Sequence, residues 1–440
     1  MRSRVAPRLT RVPRLLADTA PLRTVAFRRL WTANIVTVIG AQLTIVAVPA
    51  QIYAITGSSA YVGLTGVFGL VPLVVFGLWG GALADVLDRR ILLIISTIGL
   101  IACSALFWVQ SATGVRNVWI ILGLFAVQQA FFAVNQPTRS AILPRLLPEP
   151  QLPAALSLNM TVMQAGAIAG PLVGGALIPV LGYSLLYFLD TLFLLPTLLA
   201  VTMLPPLRPE NADVRKIAGL RSVIDGLRYL AGHRILLASF VVDLIAMIFG
   251  MPRALFPQMA HENFGGPVNG GIAFALLFTA ISAGAVIGGV FSGWVSHVRR
   301  QGAAVIVCIL VWGAAITGAG IAVGFADGTT LPILPIVLVL LMIGGAADMA
   351  SAAFRQSILL AASTDDVRGR LQGVFIVVVA GGPRIADVVH GAVAASVGVA
   401  ITTAAGGGLV IVLTVAAALA LPAFWRYRIA RTAATSKDDD

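Results

Sequence analysis

Three ionisable residues recur at three-residue intervals within one apolar stretch: Arg384, Asp387 and His390. On a helix that spacing puts them along one side. Asp243 stands in a second apolar stretch and Asp348 in a third. A charge at the centre of a bilayer costs several kcal/mol, so such groups pair, meet water, or mark an ion pathway. An acid beside a guanidinium can carry a proton, because the cation favours the ionised form until substrate or conformation displaces it. Histidine titrates near neutrality when unperturbed, so His390 could shuttle a proton or simply hydrogen-bond. Arg384 and Asp387 could equally neutralise each other and lock two helices together. Asp190, near the end of its stretch, reads as structural.

Neutral polar groups form a second set: Gln42, Gln51, Gln128, Gln129, Asn159 and Gln164. They could bind a polar or amphipathic solute, or serve as interhelical hydrogen bonds worth about 1 kcal/mol each. Phe125, Phe131, Phe132 and Trp108 could line the same space or face lipid. A third set is the segment from Gly80 to Arg90, with Gly81, Asp85, Asp88, Arg89 and Arg90. Its small residues allow close helix contact, Asp85 could accept from a neighbouring helix N-terminus, and the charged residues after it could form an ion-pair latch between halves. The fourth set is Gly166, Gly170, Pro171, Gly174 and Gly175, where glycines flatten one helix face and the proline frees a carbonyl.

The elements that must hold these groups are membrane helices. Of the 440 residues, 58% are hydrophobic and 11% charged, and the mean hydropathy is +0.95. A soluble chain carries roughly 25% charged residues. Apolar runs near 30–55, 61–83, 91–112, 117–142, 154–180, 183–204, 235–258, 269–295, 303–325, 331–360, 370–398 and 400–424 each suit a crossing of about 20 residues. Uninterrupted apolar runs lack the alternation of a barrel, which leaves helices. The expectation is an all-α membrane protein of twelve spans, divided by the polar segment 205–234, whose part 220–230 has the apolar spacing of a surface helix. The organisation expected is a tail over 1–29, a six-helix bundle over 30–204, the linker 205–234, a second bundle over 235–424 and a tail over 425–440.

Of the 30 basic residues, 27 fall at one side of this span map; Arg116 and Arg253 fall at the other, and Arg384 inside a span. That bias puts both termini and the linker in the cytoplasm, and the chain in the cell membrane. The net charge of +12 is therefore read as orientation signal and not as a nucleic-acid surface. No apolar segment with a cleavage site precedes the first run, which is expected to be retained. Cys103 and Cys308 lie inside separate spans and read as apolar filler. No metal, cofactor or enzyme constellation is expected: neither a His-Glu-x-x-His helix nor a G-x-S-x-G elbow nor a nucleotide-binding glycine loop is present. Residues 135–175 overlay on residues 216 positions later, pairing Arg139 with Arg355, and Gly81 and Asp85 pair with Gly293 and His297. Two six-span halves with weak internal similarity describe transporters whose site lies between the halves.

The segment Gly80 to Arg90 resembles the signature loop of the major facilitator superfamily, G-x-x-x-D-x-x-x-R-[RK], with Asp88 near the place of the usual glycine. The glycines around Pro171 resemble the fifth-span motif of its drug–proton antiporters. Stretches such as Phe27-Arg28-Arg29-Leu30-Trp31, Asn135-Gln136-Pro137-Thr138-Arg139 and Phe188-Leu189-Asp190 are similar to the branch holding the enterobactin exporter and related macrolide and multidrug exporters. The resemblance covers about residues 22–425. It implies two pseudo-symmetric six-helix bundles, a cavity lined by first, fourth and fifth spans, and a monomeric exporter of a small amphipathic solute driven by protons. The fourth span lacks the mid-membrane arginine of many proton-coupled exporters, reading Gly123 to Phe132 without one. Lipid translocation, and a membrane sensor or assembly factor that keeps the fold, are the alternatives.

Overall fold

Local signals in the sequence set where the helices begin and end. The computed structural model describes residues 18–207, 228–362 and 365–428, apart from the side chains at 78, 80–82, 84–86, 296, 362 and 365–377. Helix α1 (Val25–Thr56) stops at Gly57, whose positive φ of 62° lets its N–H close on the Tyr53 carbonyl. Helix α2 (Ser59–Val86) starts under the Ser58 side chain, α3 (Arg89–Ala112) under Asp88 and α4 (Val118–Leu146) under Asn117, each accepting a backbone N–H of the first turn. The helical run Leu152–Thr202 is broken at Gly182, with φ 72° and ψ 167°, into two arms: α5 (152–181) and α6 (183–202). The arms pass α1 in opposite directions. Gly166 and Gly174 of α5 meet Val38 and Leu43, while Thr197 and Asp190 of α6 meet Thr37 and Thr44.

The second half repeats the pattern with α7 (Arg234–Gly250), α8 (Ile272–Val290), α9 (Gln301–Gly324), α10 (Ile333–Ala362), α11 (Asp365–Val397) and α12 (Val399–Ala420). The expected seventh span, 235–258, is shorter as a regular helix. Met251 precedes Pro252 and is extended, and the chain goes on through a tight turn at Arg253–Leu255 and a wide one at Met259–Asn263. Among the described residues, ten helical runs are long and apolar enough to cross a membrane; Glu149–Thr202 contains two arms, and α11 makes the twelfth. Helix α1 begins inside the expected tail 1–29, and residues 1–17 lie outside the described residues. Of the surface helix expected over 220–230, residues 220–227 also lie outside them, while 228–232 are helical and bury Leu230.

Within the first half α1 packs on α5 and α6, α2 on α4, and α3 on α4 and α6; in the second, α7 packs on α11 and α12, α9 on α10 and α12, and α8 on α10. The halves meet through α2 against α11 and α5 against α8. A Cβ on Gly63 of α2 would stand 2.5 Å from the Asp387 carbonyl oxygen, so this seam needs a bare backbone there. On the other side the Gly271 N–H donates to the Gly175 carbonyl at 2.9 Å. Across the tips, Tyr53 donates to Glu262 at 2.9 Å and Ser59 to Gln258 at 2.5 Å, with Gln258 in turn donating to Glu262. These junctions lie toward the end of the bundle remote from both chain termini, hereafter the distal end. At the proximal end, Met160 of α5 and Val290 of α8 are exposed.

Candidate coupling and substrate site

Arg384, Asp387 and His390 all lie on α11, and each has different surroundings. Arg384 donates from Nη2 to Gln129 Oε1 of α4 at 3.2 Å, and its guanidinium carbon lies 5.3 Å from the Phe125 ring centre. It therefore crosses from the second half into the first, beside Gly69 of α2. His390 turns the other way and is buried against Gly406 of α12. Asp387 is buried between them with Oδ1 unbonded, and no ion pair within 4 Å joins it to Arg384 among the described residues.

Asp243 belongs to a separate set. Arg355 of α10 meets its Oδ1 at 2.9 Å and that of Asp348 at 3.8 Å, and donates to Ser351. Arg355 is 5% exposed and the Asp243 side chain 3%, so the pair is shut from solvent, whereas Asp348 at 26% keeps an outlet. Two carboxylates thus share one guanidinium. A crevice with room for about one water lies beside them, lined by Leu236, Ser239, Asp243 and Arg355. Reasoning from spans missed Arg355 as a partner because basic residues near span ends were counted as orientation signal. The repeat overlay with Arg139 was the clue, and both arginines sit inside helices.

The polar set scatters. Gln129 meets Arg384, and Gln128 is buried next to it on α4. Gln51 is consumed within the first half, donating to Gln110 and accepting from Tyr187. Gln42 packs against Gly170, and Gln164 is half-buried on α5. Asp190 accepts from Thr44 at 2.7 Å and Ser104 at 2.8 Å, tying α6 to α1 and α3. Of the fifth-span motif, Gly166, Gly170 and Gly174 face α1, Pro171 is buried, and Gly175 faces Ala275 of α8. An apolar groove of about 410 Å³ lies among α2, α3 and α4, with Pro72, Phe76, Ile95, Ala130 and Phe131 in its walls.

For the loop set, the side chains of Gly81 and Asp85 lie outside the described residues. Asp88 caps α3 and accepts from the Leu207 N–H, Arg89 donates to the Ala141 carbonyl, and Arg90 to that of Thr202. These bonds tie the loop to α4 and α6 of its own half, not across the seam. At the distal tips the side chains that join the halves are Tyr53, Ser59, Gln258 and Glu262. Sequence reading passed over these four because polar residues at span tips are common.

Two six-helix halves with seams at α2–α11 and α5–α8, and charges buried between and within them, define a major facilitator transporter, a multi-pass membrane protein and not an enzyme. The chain belongs to the transmembrane secretion effector family, whose model matches residues 16–435. It is similar to the enterobactin exporter EntS of Shigella boydii serotype 18, 29% identical over 409 residues, covering 88% of this chain and 90% of that one. The EntS of Escherichia coli O127:H6 is likewise 29% identical with the same coverage. Among solved structures, the nucleoside transporter NupG superposes with a TM-score of 0.71 at 11% identity, over 92% of this chain and 100% of that one. A bacterial homologue of the lysosomal transporter Spinster, inward-facing and unoccupied, gives 0.65 at 14%, over 93% and 97%. At these identities the two structures speak to fold alone.

Proposed function

We propose that the protein exports a small amphipathic solute, siderophore- or drug-like, by alternating access coupled to protons. The chain would work as a monomer with both termini cytoplasmic, its two bundles rocking about the seam. The export direction and solute class rest on the similarity to proteins named enterobactin exporters. The coupling reading is carried by one observation: Asp243 and Asp348 share a single buried guanidinium, Arg355. A site with one acid more than its cation has a place for a proton, and unpaired buried charge is costly in hydrocarbon. Arg384 supports the same reading from the seam. Its bond to Gln129 joins the halves in the state described and must break when α2 and α11 part. The apolar groove beside Phe131 suits the greasy part of such a solute.

The test is flux in proteoliposomes with an imposed pH gradient. Asp243→Asn and Arg384→Gln should remain folded, lose uphill accumulation and keep downhill exchange of solute. Full uphill transport in both would remove these residues from coupling.

A further inference from the structure

The two halves repeat one arrangement and fill it differently. In the first, Arg139 of α4 donates from Nη1 to Asn34 Oδ1 of α1; in the second, Arg355 of α10 meets Asp243 of α7. Asn34 and Asp243 each lie nine residues beyond the first residue of their helix, and Arg139 and Arg355 each lie seven before the last. One turn earlier, Ser351 gives Arg355 a further acceptor, whereas Asn135 at the matching place of α4 is turned to Ser96 and Thr97. Arg355 thus has two carboxylates and a hydroxyl. Arg139 has one neutral amide, no acid within 4 Å among the described residues, and an Nη2 shut from solvent without an acceptor.

A guanidinium is a rigid fork of donors that matches a carboxylate in two bonds. The internal repeat shows what this geometry holds when complete: an aspartate. Asparagine at position 34 keeps the place and withholds the charge. The geometry points to an oxyanion site, in which Arg139, backed by Asn34, takes a carboxylate or similar oxyanion of a small solute as Arg355 takes Asp243. The residue as a whole is half-buried while its Nη2 is shut from solvent, so a solute would meet the guanidinium only after a side-chain swing. Gln129, the partner of Arg384, lies ten residues back along α4, about 15 Å deeper. An anionic solute leaving Arg139 therefore has a second guanidinium ahead of it. The assignment rests on the small-solute reading above and adds negative charge to it.

The test uses the full purified chain in a neutral maltoside detergent, with benzoate as probe and benzamide as its uncharged counterpart. Benzoate should raise Tm by about 2 °C or more near saturation, and benzamide should not. Arg139→Gln should lose the shift. Asn34→Asp retains Arg139 and supplies the missing carboxylate, so it should raise Tm without ligand and abolish the benzoate shift; it carries the test if Arg139→Gln fails to fold. A benzoate shift that survives Asn34→Asp, or no shift from benzoate or inorganic phosphate in the parent, overturns the site. In nanodiscs, an Arg139-dependent shift from phosphatidylglycerol over phosphatidylcholine, with none from benzoate, overturns the solute in favour of a lipid headgroup. Binding is read without any gradient, so a failure of proton-coupled export leaves this result unmoved.

Discussion

Replacing Arg355 by glutamine removes the cation that lies 2.9 Å from Asp243 and 3.8 Å from Asp348. Both Arg355 and Asp243 are at or below 5% exposure, so the change strands a carboxylate away from bulk solvent, with room beside it for about one water. Breaking a buried pair from one side costs about 3–5 kcal/mol. Asp243→Asn is milder, because Arg355 keeps Asp348 and Ser351; losing one charge-assisted bond costs about 1.5–3 kcal/mol. The double variant puts an amide against an amide and leaves only Asp348 without its cation; Asp348 is 26% exposed and can be met by water, so the cost should be about 0–2 kcal/mol. Strict additivity would instead give about 5–8 kcal/mol, so the cycle carries a coupling of several kcal/mol that is easily resolved. Unfolding in mixed micelles followed by tryptophan fluorescence is a suitable assay. Trp312 of α9 is fully buried and donates to the Ala246 carbonyl of α7, so it reports on this half. If Arg355→Gln proves no worse than Asp243→Asn, or if the double variant equals the sum of the singles, the three residues are not an energetic unit.

Other outcomes follow from single contacts. Gly63→Leu should drive α2 from α11, since even a Cβ there lies 2.5 Å from the Asp387 carbonyl oxygen; labelling of a cysteine placed at Val67 should change, and unchanged labelling would refute the seam. Tyr53→Phe removes one hydrogen bond across the distal tips, about 1 kcal/mol and hence roughly fivefold in the balance between open states. Distance measurements by paired spin labels at the α1 and α7 tips would detect it. Asp327, in the exposed connection before α10, is held below the ordinary aspartate range by the Thr329 hydroxyl at 2.7 Å. That tie contributes above the ordinary value near 4 and is lost as pH falls through the lowered one, so Thr329→Val should return the NMR titration of Asp327 toward about 3.9. A reporter active only outside the cell, fused after Asp440, should stay silent; strong activity would reverse the orientation.

The sequence by itself determined the number of spans, the limits of most of them to within a few residues, the division into halves, and the placing of Arg384, Asp387 and His390 on one helix; the seventh span was the exception, its regular helix ending at Gly250 and not near 258. These are local matters: an apolar run long enough for the bilayer, a capping side chain at Ser58, Asp88 or Asn117, a glycine at 57 or 182 where the backbone must leave the helical region. Partnership was decided by tertiary structure. Arg384 is bonded to Gln129, 255 residues away, and not to Asp387 one turn along its own helix; Asp243 is bonded to Arg355 and stands apart from the stripe. Gln51 looked like a cavity residue until Gln110 and Tyr187 closed on it. The physical reason is that helices apolar on every side carry little periodic signal of which face turns to which neighbour. Facing is set by where glycines let backbones approach and by which buried polar groups can satisfy one another, and both depend on the register of helices far apart in the chain.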